Sequence, residues 1–136
     1  MSEESIKIDC FIVGSMKSGT TLLSNFLNQN SKIKINGGDS HLFLSKNHND
    51  LITKKINSNY DINTFNVDKS ASYSLLLEDY SRILSHNQNA KFIWILRDPI
   101  KRAFSNYIHA INRGLESRSF IKCFYDDLKI KKNFDH

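Results

Sequence analysis

The chain has 136 residues, 40% of them hydrophobic and 24% charged, with a formal net charge of +5, which bounds it to one globular domain with room for a core and excludes a disordered or fibrous class. No run approaches the ~18–20 apolar residues of a membrane span, and the acidic start Met1-Ser2-Glu3-Glu4-Ser5 is unlike a secretory signal. Cys10 and Cys123 make no disulfide framework and read as buried small hydrophobes, so a reducing, cytoplasmic setting is expected. The positive charge suits an anionic ligand, but abundant solvent-facing lysines explain it equally well.

Phe11-Ile12-Val13 is an apolar run of strand length, broken at Gly14. After a loop holding Lys17 and Gly19, apolar residues return at helical spacing from Thr20 to Leu27. Strand, glycine loop and helix start together make an anion site, because the first-turn N–H groups are unpaired and the helix dipole favours negative charge there. Gly14 and Gly19 allow a tight turn and a close backbone approach. Lys17 adds charge, and the Thr20 and Thr21 hydroxyls add donors. The glycine separation is that of the nucleotide-triphosphate loop G-x-x-x-x-G-K-S/T, but Thr20 stands where that pattern needs its lysine. At this point an ordinary strand–turn–helix with a surface lysine competes with the phosphate reading.

Lys32-Ile33-Lys34-Ile35 alternates as a short strand. Asn36 to Ser40 is a loop, and His41-Leu42-Phe43-Leu44 follows it. From Ser45 to Asn63 the chain is polar and asparagine-rich, with a weak helix around Leu51 to Ile56. Phe65 to Ser70 reads as a strand ending in a polar turn. Ser72 caps a predicted helix whose stripe is Leu75, Leu76, Tyr80, Ile83 and Leu84. Lys91 to Leu96 is the strongest strand, and its nearly continuous apolar run predicts burial on both faces. Asp98 as N-cap and Pro99 as first helical residue open the next helix, with Ala103, Phe104, Tyr107, Ile108 and Ile111 inward and Gly114 at its end. A last helix covers Ser119 to Lys131.

Strands alternating with helices predict an α/β fold, a P-loop-like parallel sheet with right-handed crossovers and flanking helices. Ligands then lie at the carboxyl ends of the strands. Three polar turns fall there: Gly14 to Thr21, Asp68 to Ser70, and Arg97 to Pro99. Seven residues, about two turns, separate Asp98 from Ser105. The Arg97 fork and the Ser105 hydroxyl could hold a second phosphate. An Arg97–carboxylate pair beside a plain polar Ser105 is the competing reading.

These segments together resemble the sulfotransferases that use 3′-phosphoadenosine 5′-phosphosulfate (PAPS). Gly14-Ser15-Met16-Lys17-Ser18-Gly19-Thr20-Thr21 is similar to their 5′-phosphosulfate loop, with lysine two residues before the second glycine. Ile95 to Tyr107 is similar to their 3′-phosphate segment. Asp68-Lys69-Ser70-Ala71-Ser72-Tyr73 resembles the Glu-Lys-(Ser/Thr)-x-x-Tyr segment of the heparan-sulfate-type, carbohydrate-modifying branch. Asp39-Ser40-His41-Leu42-Phe43 falls where that branch has its acidic residue and His-Phe-Phe. The resemblance covers roughly residues 8 to 110 and the N-terminal half of such a domain. It departs from the branch in placing Asp39, one methylene shorter, where the catalytic glutamate stands.

The resemblance implies a transfer of sulfuryl from PAPS to a hydroxyl or amine by in-line displacement, the acceptor a glycan or small molecule and the product 3′,5′-ADP. It implies that Ser15, Lys17, Ser18, Gly19, Thr20 and Thr21 hold the 5′-phosphosulfate, and that Arg97 and Ser105 hold the 3′-phosphate. Lys17 would stabilise the leaving group, Asp39 or else His41 would take the acceptor proton, and Lys69 would orient acceptor or sulfonate. No metal and no nucleic acid are implied, and an oligomer or partner segment is expected to complete the site. Two other readings stand beside it: a non-catalytic or split nucleotide-binding fragment, and a P-loop nucleotide kinase.

Overall fold

A computed structural model describes residues 5–44, 49–75 and 77–132. The chain divides between Leu96 and Arg97 into two compact units. The first contains β1 (Cys10–Gly14), α1 (Thr20–Leu27), β2 (Ile33–Ile35), α2 (Asn49–Asn59), β3 (Phe65–Lys69), a 3-10 turn (Ala71–Leu75), α3 (Leu77–His86) and β4 (Lys91–Trp94). The second contains α4 (Pro99–Asn112) and α5 (Phe120–Lys132). The four strands form one parallel sheet in the order β2-β3-β1-β4.

β1 organises the first unit. Its side chains alternate between the two faces of the sheet, and every residue of it is buried. Phe11 and Val13 enter one core with Ile8, Phe43, Ile56, Tyr60, Tyr73 and Ile83. Cys10 and Ile12 enter the other with Ile35 and Val67, covered by Leu23 and Leu27 of α1. Phe11 meets Phe43 edge-on at 5.4 Å between ring centroids and stacks on Phe92 at 6.0 Å. Each fully buried side chain of this size contributes about 1.5–3 kcal/mol, so the strand that leads into the glycine loop is firmly held. Its approach is tied as well: the Ile8 N–H donates to His86 Nε2 at 3.0 Å, and Asn87 Nδ2 donates to the Ile8 carbonyl at 2.9 Å.

Four expectations change. β4 is the strand expected to be buried on both faces, yet Phe92 and Trp94 are 39% and 53% exposed. Among the described residues β4 pairs only with β1, and an apolar run does not reveal which strand has neighbours on both sides. The helix expected to begin at Ser72 is a 3-10 turn followed by a separate α3, because Ser70 N is bonded to Ile12 O and the chain must turn tightly off the sheet. The weak helix around Leu51 to Ile56 is the eleven-residue α2. Cys10 is buried as expected, while Cys123 is only half-buried.

In the second unit α4 begins as read: the Asp98 carboxylate accepts from the Lys101 N–H at 2.8 Å with Pro99 in the first turn. It ends with Gly114 at φ 69. Gly114 N donates to Ile111 O and Leu115 N to Ala110 O, both at 2.9 Å, the paired bonds of a Schellman stop. α5 packs on α4 through Phe120, edge-on to Phe104 and Tyr107 at 5.3 Å each.

Candidate active site

The cradle begins at Gly14, whose φ is 143. A Cβ there would stand 2.6 Å from Ser74 Oγ and 3.0 Å from the Ala71 carbonyl, so only glycine lets β1 end against the turn after β3. The loop is then fastened to the far strand. Ile95 N donates to Gly14 O at 2.7 Å, Ser15 N to Ile95 O at 3.0 Å, and the Trp94 indole N–H to Ser15 Oγ at 3.2 Å. Lys17 takes a left-handed backbone at φ 64, and Gly19 at φ 102 is the N-cap of α1. No side chain caps that helix and no acidic residue lies in its first turn. The Ser18 hydroxyl is buried and has no hydrogen-bond partner among the described residues. Thr20 is buried and Thr21 exposed. An uncapped helix start, a left-handed loop and an unmatched buried hydroxyl form a donor set that fits an anionic oxygen cluster such as the phosphosulfate of PAPS.

The second cluster lies where β3 ends. Lys69 is buried, and its Nζ stands 3.2 Å from Asp39 Oδ1, whose side chain is 39% exposed. The Ala71 N–H reaches the same oxygen at 3.3 Å. A buried ammonium is costly unless it is paired, and Asp39 supplies the pairing. His41 Nδ1 lies 3.0 Å from Ser70 Oγ, with a left-handed backbone at φ 52. The structure thus pairs Asp39 with Lys69 and sets His41 against Ser70, the next residue along the chain. Ala71 joins the clusters, touching Asp39 on one side and the position of Gly14 on the other.

Arg97 and Ser105 belong to the second unit, Arg97 exposed before the N-cap and Ser105 half-buried within α4. Asp98 beside them is engaged as the cap. Among the described residues no three His, Cys, Asp or Glu side chains converge as a metal site, and no helix is long and apolar enough to cross a membrane. Trp94, Ser40, Tyr60 and Asp68 are not among the site residues expected from sequence. Ser40 and Asp68 fall inside the two carbohydrate-branch segments and Trp94 inside the apolar strand, while the Ser40–Asp68 and Ser15–Trp94 bonds join positions 28 and 79 apart.

Residues 7–134 match the sulfotransferase domain family. Heparan sulfate glucosamine 3-O-sulfotransferase 3B1 of Mus musculus is 27% identical over 115 residues, 80% of this chain and 28% of that protein. Heparan sulfate glucosamine 3-O-sulfotransferase 3A1 of Homo sapiens is also 27% identical over 115 residues, covering 80% and 27%. The chain therefore spans little more than a quarter of the length of these curated relatives. The crystal structure of a sulfotransferase from Alicyclobacillus acidocaldarius superposes with a TM-score of 0.79 at 22% identity, over 93% of this chain and 60% of that one, a likeness of fold. The parallel sheet, the glycine loop and the family match lead to one conclusion: the chain belongs to the sulfotransferase domain family.

Proposed function

We propose that this chain carries out sulfuryl transfer from PAPS to a hydroxyl or amine, with a carbohydrate as the acceptor class. The observation that carries the reading is the donor set of the cradle, joined through Ala71 to a carboxylate–lysine pair at the next strand end. Likeness to enzymes named for heparan sulfate supports the acceptor class. Residues 1–136 are taken as one nucleotide-binding domain acting in a cytoplasmic setting, consistent with the two free cysteines.

PAPS, when bound, supplies the sulfuryl group and leaves as 3′,5′-ADP. Ser15, Lys17, Ser18, Gly19, Thr20 and Thr21 would hold its phosphosulfate, and Arg97 and Ser105 its 3′-phosphate. Lys17 and the first amides of α1 stabilise negative charge on the departing phosphate, as preorganised donors do. Asp39 receives the acceptor proton at its carboxylate, with His41 the second candidate, a contribution of about 100- to 10,000-fold. Lys69 holds Asp39 in place and lends positive charge beside the acceptor. The chain's work is positioning and charge stabilisation, with no covalent intermediate on the protein.

Calorimetric titration with 3′,5′-ADP, ADP and ATP tests this. 3′,5′-ADP should bind well ahead of ADP, since the Arg97 fork to a 3′-phosphate is worth about 1.5–3 kcal/mol. Equal affinities, or a preference for ATP, would remove the assignment in favour of a kinase. Binding without turnover of PAPS across hydroxyl and amine acceptors would leave a nucleotide-binding fragment.

A further inference from the structure

The loop carrying Asp39 and His41 is bonded to the end of β3 residue against residue. Asp39 meets Lys69 and Ala71, His41 meets Ser70, and between them Ser40 N donates to the Lys69 carbonyl at 2.9 Å. The Ser40 hydroxyl turns inward instead and donates to Asp68 Oδ2 at 2.7 Å. Tyr73 Oη donates to that same oxygen at 2.7 Å, and Tyr60 Oη donates to Oδ1 at 2.7 Å. Asp68 is wholly buried.

Counting protons shows how the network faces the loop. Ser40 and Tyr73 each spend their single proton on Asp68, which leaves both hydroxyl oxygens as acceptors. The Leu42 N–H then donates to Ser40 Oγ at 3.3 Å, and the Phe43 N–H to Tyr73 Oη at 3.4 Å. Burial and the Asp68 charge push both phenols far above the ordinary tyrosine range, so they keep the protons they donate. Burial raises the Asp68 carboxyl, and its three hydroxyl donors pull it back. A buried carboxylate, even fully hydrogen-bonded, gives little stability that well-packed apolar residues would not also give. What this one adds is geometry: it spans the loop from Ser40 to Phe43, where His41 is held in a left-handed backbone.

We propose that Asp68 is a positioning residue for Asp39, acting through Ser40 and Tyr73 to hold loop residues 39–43 against β3. The proposal rests on the reading that Asp39 receives the acceptor proton. Amide hydrogen exchange on the full chain tests it without catalysis. Asp68→Asn should speed exchange at Ser40, Leu42 and Phe43 by about 10- to 100-fold, the factor carried by a lost hydrogen bond to a charged group, with β1 amides unchanged. Ser40→Ala should do the same at Leu42 and Phe43, and it keeps the test alive if Asp68→Asn does not fold. Unchanged loop exchange, or acceleration spread equally over β1, overturns the proposal. A kinetic cycle adds a second readout: Asp68→Asn should lower kcat in the native background and have no further effect beside Asp39→Asn. Additive losses would mark a merely structural role. Should the native chain neither bind 3′,5′-ADP nor turn over PAPS, the sulfotransferase reading fails, while the exchange result still decides the role of Asp68.

Discussion

Asp39 shares one oxygen between the Lys69 ammonium and the Ala71 N–H. Asparagine at 39 keeps an oxygen for both donors but cannot take a proton. Asp39→Asn should therefore lower PAPS-dependent turnover by about 100- to 10,000-fold, with 3′,5′-ADP affinity unchanged by calorimetry. If His41→Ala abolishes turnover and Asp39→Asn spares it, the imidazole is the base. At this scale the glycine loop with Gly14, Lys17 and Gly19 could be read from one contiguous segment, while Asp39 and Lys69 stood out only through the family resemblance of their segments. The Ser40–Asp68 and Ser15–Trp94 bonds were not legible, since they join positions 28 and 79 apart in sequence. Pairing between segments distant in sequence, not residue type, creates such contacts.

Elements with their own punctuation could be read directly. α4 has Asp98 and Pro99 at its start and Gly114 at its end, and the structure uses each as the local chemistry requires. Asp98→Ala should remove the bond to Lys101 N and cost about 0.5–2 kcal/mol, seen as a lower denaturant midpoint. A midpoint equal to that of the native chain would show that Asp98 matters elsewhere than in the cap. Elements set by tertiary demand were read less well. The 3-10 turn at Ala71–Leu75 exists because the chain leaves β3 next to Gly14, too close for a regular helix to start at Ser72. β4 looks like an inner strand by composition but lies outside β1 in the sheet.

Across the first unit, the alternation of strands and helices was enough to expect the parallel sheet, whereas the strand order depends on pairing that no local segment encodes. The same long-range ties bear on stability. His86, at the end of α3, accepts from the Ile8 N–H just ahead of β1 and packs on Phe43 at 5.4 Å. Accepting requires a neutral imidazole. Burial holds His86 below its ordinary value of 6.5, the Lys7 charge pushes the same way, and Asp9 opposes both. The unfolded chain therefore takes up this proton first as the pH falls. The stabilisation from His86 is complete above 6.5 and is lost as pH falls from there through the folded value. Asp68, raised by burial, acts in the opposite sense, with its contribution present at low pH and lost as pH rises through its folded value. A single melting curve mixes the two, so the informative quantity is the difference between the native chain and His86→Gln. Glutamine can still accept from Ile8 N–H but does not titrate. Between about pH 7.5 and pH 5, the window of histidine titration, the melting temperature of the native chain should drop relative to that of His86→Gln. Equal slopes in the two proteins would place the acid sensitivity in another group.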